Sequence, residues 1–462
     1  MIRLSSLRVV MLPLLLFVAG LGSPPAGAYS PLTHEALIDL TWEDSIVPML
    51  KSSYPNLTPE ELERARAYAY GGCDIQDIGY FPFGDQFFSD VTHYVRTGDF
   101  IEALFRDAHD ANELAFAIGA LSHYIGDSIG HSEATNRAVA IEFPKLGRKY
   151  GRSVNFAEGR HQHVRAEFAF DIDQIAHHRV APLGYKRHIG IKIPLPQLAQ
   201  AFYQTYGVTD DFEKGNRRRV NVRGFRFATR TFIPRVAYAV TMLHRKQEPA
   251  EPDTPDAREI DYEAAQVAKV CNWAAYRKKA GVETYLLAAV LWVLPKVGPL
   301  SMVSVRGPTP TAEADYLHSV ISATTVLHEE LAILTPVKAR LTRRLTATTS
   351  TATLGLLDPR HPIPNRDLDT GQPTRPGGYR LTDTTYAKLL HRLARKPNQP
   401  VPPGIKSDVE SYYADPNTPI ETKRHAKKWQ KVQQDLKILA AMPTGAAPEP
   451  YPTYGELQEE EP

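Results

Sequence analysis

The chain has 462 residues, which is long enough to bury a large hydrophobic core and to form two domains. Its 54 basic and 52 acidic side chains give a net charge of +2, so no whole-protein field indicates a nucleic-acid partner. The 2 cysteines, Cys73 and Cys271, exclude a disulfide scaffold and a cysteine-based zinc site, although they could form one disulfide. Any metal ion must therefore be held by His, Asp and Glu side chains.

Residues 1–28 are typical of an export signal. Arginines precede an apolar run at 9–21, and the small residues Ala-Gly-Ala at 26–28 match the usual cleavage pattern. The apolar run is too short for a transmembrane anchor and is followed by a proline pair. We therefore predict cleavage after Ala28, a mature chain that begins at Tyr29, and a secreted or periplasmic location.

Helical signals dominate the rest of the chain. The segment after Thr58 has acidic residues in its first turn and ends in a glycine pair, as helices commonly do. Near the far end, the residues 418–421 have the spacing of a capping box. One apolar stripe follows, formed by Trp429, Val432, Leu436 and Leu439. Because no run of alternating strands and no glycine-rich phosphate loop is found, we predict an all-α fold.

Stretches rich in proline, glycine and acidic residues indicate the boundaries between domains. We interpret 246–259 as a linker, 260–441 as an additional helical C-terminal region of unknown role, and 442–462 as a disordered tail. Residues 356–380 form a long irregular segment within that region. The polar side chains suited to chemistry cluster before residue 180, so the C-terminal half is predicted to be a helical appendage.

The stretch 217–230 interleaves arginines with aromatic residues and allows two interpretations. It could form a surface for nucleic acid or for phospholipid headgroups, and so contact a membrane. Alternatively, solvated arginines could flank side chains that pack into the core. The near-neutral charge of the chain favours the second interpretation.

The segment most suggestive of chemistry is SHYIGDSIGHSEATN, at 122–136. It carries His123, Asp127 and His131 at intervals of four, so a helix would place all three on one face, within about 80° of one another. Metal ligands fit this arrangement, and so does a buried network of hydrogen bonds between His and Asp.

Further candidate ligands lie elsewhere in the N-terminal half. Asp77 and His93 belong to an unusually aromatic segment, His163 and Glu167 are four apart, and His34 follows the predicted mature start. Each could instead be a solvated residue, a hydrogen-bonded loop residue or half of a surface i,i+4 pair. Eight residues of suitable type, two groups of them at helical spacing, together favour a metal centre.

The ordered set resembles the zinc-dependent phospholipase C family, which shares an all-α trinuclear zinc fold with a branch of single-strand nucleases. The family pattern is an N-terminal residue, a nearby His, then Asp, His, His-x-x-x-Asp, His and His-x-x-x-Glu. Here it is matched by Tyr29, His34, Asp77, His93, His123, Asp127, His131, His163 and Glu167. The resemblance spans roughly residues 29–180 and extends to 245 at most, so we predict a catalytic domain at 29–245. It says nothing about residues 260–462.

The resemblance implies two to three zinc ions per chain. One would be surrounded by Asp77, His93, His123 and Asp127, and a second would be held by His131, His163 and Glu167. The third would be bound by the free amine and carbonyl of Tyr29, with His34 and the bridging Asp127. Cleavage after Ala28 would therefore complete the site, because a peptide nitrogen is a poor metal ligand.

Three features depart from the family pattern. Tyr29 stands where the family members usually have tryptophan. Asp127 and His131 are only four residues apart, whereas the family leaves a longer gap. His161 is an alternative to His163, although only His163 has Glu167 one helical turn later.

The resemblance implies hydrolysis of a phosphodiester by an activated water molecule, with Asp77 as the catalytic carboxylate. A phospholipid substrate is favoured because the sequence GGCDIQD…FFSDVTHY resembles the phospholipase branch more closely than the nuclease branch. The aromatic residues after Asp77 could line a pocket for a cationic headgroup, stack nucleobases or pack into the core: Tyr80, Phe81, Phe83, Phe87 and Phe88. Two alternatives are a single-strand nuclease and a catalytically inactive, secreted zinc-binding protein.

Overall fold

The computed structural model describes residues 29–81, 84–209, 222–244, 251–277, 282–293, 305–341 and 361–445. The predicted export signal and most of the predicted tail, at 446–462, lie outside the described residues. In chain order the helices are α1 (Pro31–Thr41), α2 (Val47–Ser53), α3 (Pro59–Cys73), α4 (Gln86–Tyr94), α5 (Thr97–Arg106), α6 (Ala111–Gly130), α7 (Asn136–Glu142), α8 (Pro144–Tyr150), α9 (Phe156–Ala176), α10 (Leu183–Ile189), α11 (Leu195–Tyr206), α12 (Val222–Phe227), α13 (Ile233–His244), α14 (Pro255–Val270), α15 (Trp273–Tyr276), α16 (Val282–Val293), α17 (Pro310–Leu341), α18 (Arg380–Ala394), α19 (Pro403–Tyr412), α20 (Ile420–Lys423) and α21 (Ala426–Ala441).

The all-α prediction is confirmed. Within the described ranges, β pairing is limited to two isolated bridges, between Arg366 and Pro373 and between Val401 and Thr444. The predicted capping box at 418–421 is not formed, because helix α20 begins only at Ile420, is four residues long and has no side-chain hydrogen bond at its N-cap. The apolar stripe on α21 is present, with Val432 and Leu439 buried.

The long helices α3 and α6 pack side by side and form the centre of the fold. They approach closely where Gly72 meets Gly119: a β-carbon on Gly119 would lie 2.2 Å from the carbonyl oxygen of Ala69. Only glycine permits this approach. It brings the C-terminal end of α3 against the second half of α6, which carries His123.

The C-terminal helices pack into the same hydrophobic core as the N-terminal half and do not form an appendage. Helix α17 lies along α6, and α18 packs on α4. Leu317, Leu389 and Leu439 are at most 1% exposed and belong to the main core cluster. The predicted boundary at 246–259 stays a prediction, although helix α14 already begins within it, at Pro255.

The two cysteines are not joined. Cys73 is buried and its thiol donates to the carbonyl of Tyr70 at 3.3 Å. Cys271 is half-buried, and its sulfur accepts a hydrogen bond from Arg66 at 3.1 Å. The disulfide that the sequence allowed is therefore absent.

The arginine-rich stretch is described from Val222 onward. Val222 and Phe225 are buried, as the packing interpretation expects, whereas Phe227 is 48% exposed. None of the described helices combines the length and the apolar character needed to cross a bilayer.

Candidate metal centre

The eight predicted side chains are buried and lie together. Six of them are 0% exposed, while Asp77 is 4% and Glu167 is 5% exposed. Their nitrogen and oxygen atoms form three groups, each with all ligand atoms within 4.8 Å of one another. The groups are His34–His123–Asp127, Asp77–His93–His123, and His131–His163–Glu167.

Asp127 lies between three imidazoles. Its Oδ1 is 3.2 Å from Nε2 of His34. Its Oδ2 is 3.4 Å from Nε2 of His93 and 3.3 Å from Nε2 of His123. Each oxygen thus faces a different group, which is the arrangement that a carboxylate bridging two metal ions requires.

The spacing between the candidate ligand atoms fits a zinc site. Two atoms that each bind zinc at about 2.0–2.2 Å in a tetrahedral site lie roughly 3.4 Å apart. The distance is 3.3 Å between His93 Nε2 and Asp77 Oδ1, and 3.4 Å between His163 Nε2 and Glu167 Oε1. Asp77 Oδ1, His163 Nε2 and Glu167 Oε1 are buried with no hydrogen-bond partner among the described residues. Buried polar atoms are normally satisfied, so these residues fit a bound cation.

Backbone carbonyls orient three of the imidazoles. A carbonyl oxygen can only accept, so each Nδ1 must carry a proton, and Nε2 is the nitrogen that each ring can offer to a cation at the centre. His123 donates to Cys73 at 2.7 Å, and His93 donates to Ser89 at 2.8 Å. His131 donates to the carbonyl of Leu368 at 2.7 Å.

His131 joins His163 and Glu167 despite its short spacing from Asp127. Helix α6 changes at this point to a π-helical turn, His131–Thr135, and such turns occur frequently at functional sites. The rings of His131 and His163 are 5.0 Å apart. The alternative ligand His161 is only half-buried and is in none of the groups.

The electrostatics of the groups reflect many buried charges in one place. Burial and the charges of Asp77 and Asp127 raise the pKa of Glu167 well above its usual range. Burial and His131 lower the pKa of His163 well below its usual range. Burial also opposes the charged form of His93, but hydrogen bonds that its protonated ring donates to Asp127 and Asp77 outweigh burial and raise the pKa of His93 to about 10. Burial thus suppresses the charges of Glu167 and His163, whereas two carboxylates stabilise the charged form of His93.

Tyr29 is fixed beside the centre. Its ring is 5.7 Å from the ring of His34, and its hydroxyl is 2.6 Å from that of Ser319 on α17. Glycines on α6 provide the space: a β-carbon on Gly130 would be 2.5 Å from Tyr29 Cζ, and one on Gly126 would be 3.4 Å from Tyr29 Cδ2. The glycines within the ligand segment therefore accommodate the predicted mature N-terminal residue.

Sequence reasoning missed one acidic residue at this centre, Asp369. It is 0% exposed, and its Oδ1 is 3.8 Å from Nε2 of His131. It belongs to residues 361–379, here named the 361–379 loop, which the sequence analysis took as part of an irregular segment. Long irregular segments inside compact folds are often functional, and the acidic run RDLD within this one was the available signal.

A pocket of about 220 Å³ lies next to the ligand groups. Three aromatic residues of the pocket lining lie between the pocket and the ligand groups. Tyr80 is 5.4 Å from His93 and Phe156 is 5.6 Å from His163, ring to ring, while the hydroxyl of Tyr94 donates to Asp369 at 3.0 Å. The rest of the lining is largely polar and comes mainly from α18 and the C-terminal helices: Arg160, Arg380, Thr384, Thr385, Lys388, Glu421, His425 and Lys428, with Gln86, Asp90 and Leu381.

Of the aromatic residues predicted to form a headgroup wall, Tyr80 alone lines this pocket within the described part of the chain. Phe88 is buried against Phe202, with ring centroids 5.0 Å apart, and Phe81 packs on Phe225 at 5.3 Å. Phe87 is 5% exposed and lies under the guanidinium of Arg392. Phe83 lies outside the described residues. Core packing therefore accounts for the other three.

Residues 33–211 match the model of a family described as zinc dependent phospholipase C. No curated protein and no solved structure gives a significant match to the chain. The matched region contains His34 and the seven ligand candidates that follow it, but neither Tyr29 nor the 361–379 loop. The resemblance predicted from the ligand pattern is confirmed over residues 33–211, and the helices of the described residues agree with the all-α fold that it implies.

Proposed function

We propose that this chain, whose residues 33–211 match the zinc-dependent phospholipase C family, is an exported enzyme that hydrolyses the headgroup phosphodiester of phospholipids at a centre of three zinc ions. One observation carries the proposal: eight buried ligand side chains converge in three groups, two of which share His123. A set of this size exceeds what a single tetrahedral ion needs.

The donor set determines how the ions would be distributed. Asp77, His93, His123 and Asp127 would hold one ion, and His131, His163 and Glu167 another. His34 and Asp127 would hold the third together with the amine and carbonyl of Tyr29. When bound, zinc ions acidify a water molecule and offset the charge on phosphoryl oxygens.

Asp77 is the residue we assign to catalysis. Asp77 is 4% exposed, whereas Asp127, the other carboxylate beside His93, is 0% exposed. Solvent can therefore reach Asp77. Its Oδ1 faces His93 at 3.3 Å, which leaves Oδ2 for a water molecule. From there the carboxylate would orient the attacking water and accept its proton, while the alcohol leaves in line.

The third ion would depend on export. Only cleavage after Ala28 gives Tyr29 a free amine, and Tyr29 is already held beside His34 by its ring and its hydroxyl. Removal of the signal would then complete the centre outside the cytoplasm. N-terminal sequencing of exported protein tests the cleavage position, and Tyr29 is the expected first residue.

The pocket favours a compact, acidic headgroup. Its volume of about 220 Å³ is below the roughly 300–1,000 Å³ of pockets for drug-sized ligands. Arg160, Arg380 and Lys428 supply positive charge to the lining, while Lys388 is paired with Asp90 at 2.7 Å. Such a surface would attract phosphate and repel a cationic headgroup such as choline.

The experiment compares substrates for the mature protein, beginning at Tyr29, with and without a chelator. Vesicles of phosphatidylglycerol, vesicles of phosphatidylcholine and single-stranded DNA are supplied in parallel. We expect release of the phosphorylated headgroup, fastest from phosphatidylglycerol, loss of this activity with chelator, and its return with zinc. The variant Asp77→Asn is the control for contaminating activity and should be inactive.

Two results would contradict the proposal. Cleavage of DNA without cleavage of either lipid would identify a nuclease of the same fold. A parent chain that carries zinc by elemental analysis and hydrolyses none of the three substrates would identify an inactive zinc-binding protein.

A further inference from the structure

We propose that Asp369 is a fourth protein ligand of the metal ion held by His131, His163 and Glu167. This inference rests on the proposed zinc centre and goes beyond it, because Asp369 lies outside the region that matches the family. It would make the 361–379 loop part of the metal site.

The two oxygens of Asp369 have different surroundings. Oδ2 accepts hydrogen bonds from Tyr94 at 3.0 Å and from Tyr379 at 2.5 Å. Oδ1 has no hydrogen-bond partner within the described ranges, although the residue is 0% exposed. A buried carboxylate oxygen without a donor is costly, and this one lies on the side of the metal centre.

The neighbour of Oδ1 cannot donate a hydrogen bond to it while neutral. His131 uses the Nδ1 proton for Leu368, so its Nε2 presents a lone pair. That Nε2 is 3.8 Å from Asp369 Oδ1 and also lacks a hydrogen-bond partner among the described residues. Two electron-rich buried atoms thus face each other across a gap.

A cation in the gap satisfies both atoms. Two atoms that bind one zinc ion in a tetrahedral site lie roughly 3.4 Å apart, so at 3.8 Å a shift of about 0.4 Å brings both atoms into reach of one ion. A protonated His131 would instead form a charge-assisted hydrogen bond of about 2.7–2.9 Å, which is much shorter. The separation therefore favours metal ligation over an ion pair.

The backbone holds Asp369 in this position. Leu368 donates from its amide to the carbonyl of His93 at 3.0 Å, and the amide group of Asn136 donates to the carbonyl of Asp369 at 2.8 Å. Gly371 has a φ of +68° and lies against Ser128, where a β-carbon would be 2.3 Å from the carbonyl oxygen. Contacts with α4, α6 and α7 thus fix the loop on three sides.

A fourth protein ligand would change the role of this ion. Sites with three protein ligands leave a position open for water, whereas four close it. Water activation would then be confined to the ions beside Asp77 and Asp127. Metal binding would also hold the 361–379 loop against the N-terminal half. The backbone amides of the loop should therefore exchange their hydrogens faster when the metal is absent.

The test uses Asp369→Asn, which keeps the shape and the acceptor for both tyrosines but removes the charge. The matched control is Asp367→Asn in the same loop. Asp367 is also buried, at 3% exposed, but both of its carboxylate oxygens accept hydrogen bonds from Thr370, so neither is left for a cation. Zinc per chain is measured by elemental analysis, zinc affinity by competition with a chelator, and loop protection by hydrogen exchange with and without zinc.

We expect Asp369→Asn to bind one zinc ion about tenfold or more weakly and to lose the zinc-dependent protection of the loop, while Asp367→Asn keeps both. Equal zinc affinity and equal loop protection in Asp369→Asn and the parent chain would overturn the inference. A parent chain that binds no zinc would instead overturn the proposed function on which it rests. Circular dichroism of each variant shows whether it is folded.

Discussion

The ring of Tyr29 packs against Gly130, so closely that a β-carbon on Gly130 would be 2.5 Å from Tyr29 Cζ. Gly130 immediately precedes His131 in the π-helical turn, so the same stretch of helix carries a candidate ligand and accommodates the predicted mature N-terminal residue. The hydroxyl of Tyr29 contacts Ser319 on α17. The predicted mature N-terminal residue, the ligand helix and the C-terminal region therefore meet beside His34.

The first prediction concerns this contact. Gly130→Ala should displace the ring of Tyr29 and lower the free energy of unfolding by about 1–3 kcal/mol, as overpacking does. Gly126→Ala is the control, because its β-carbon would press only on the flexible end of Leu37, with Cδ1 at 2.9 Å, and would lie at about van der Waals distance from Tyr29 Cδ2, at 3.4 Å, and His34 Nδ1, at 3.5 Å. The loss of unfolding free energy in Gly126→Ala should be smaller, and the higher helix propensity of alanine should offset it by roughly 0.5–1 kcal/mol. Urea unfolding measures both, and equal effects would contradict the role of Tyr29.

The second prediction concerns Asp127, which lies within 3.4 Å of three imidazoles. Asp127→Asn removes the charge that would hold two cations together, so the protein should lose more than one zinc ion. His131→Ala should lose only one, because it belongs to a single group. Zinc content, melting temperature and phosphodiesterase rate are measured for both. Full zinc and activity in Asp127→Asn would contradict the bridging role and leave a structural loss on the order of 1–3 kcal/mol.

The third prediction concerns pH. Burial raises the pKa of Glu167, and the neighbouring carboxylates raise the pKa of His93 to about 10, so without metal both groups hold their protons to a higher pH than they would in water. Zinc must displace these protons, so its affinity should increase as the pH increases. His163, whose pKa is lowered, is already neutral and should contribute nothing.

Calorimetry tests this pH dependence. The observed enthalpy of zinc binding at pH 7 should vary with the ionisation enthalpy of the buffer, with a slope that corresponds to released protons. Glu167→Gln, which has no proton to lose at this position, should show a smaller slope. An enthalpy that is independent of the buffer would contradict the prediction.

The fourth prediction concerns the pocket. Arg380→Glu and Lys428→Glu should each slow the hydrolysis of phosphatidylglycerol vesicles several-fold, because acidic headgroups would be repelled. Phosphatidylcholine should be affected less, and added salt should weaken the difference. Lys51→Glu, an exposed lysine on α2, is the matched control and should leave both rates unchanged. Equal losses for the two lipids would show that the pocket charges do not select the headgroup.

Much of the candidate centre could be predicted because its ligands follow helical spacing. His123 with Asp127, and His163 with Glu167, are four residues apart, and the 3.6-residue period of a helix places such residues on one face whatever surrounds them. The all-α class follows from the same periodicity and from the absence of strand patterns. The ordered series from His34 to Glu167 then sufficed to predict the family model that residues 33–211 match.

The tertiary structure alone decided the role of the C-terminal half. Asp369, Tyr379 and the pocket lysines lie in a loop and on helices whose local sequence resembles that of any solvated segment. The position of these residues depends on contacts such as the hydrogen bond from the His131 ring to the carbonyl of Leu368, which joins residues far apart in the chain. No local period encodes such a contact, because it forms only when the core of α6, α17 and α18 has been packed. The sequence by itself therefore determined the ligands that a helix presents, and the packing of the whole chain determined which further groups meet them.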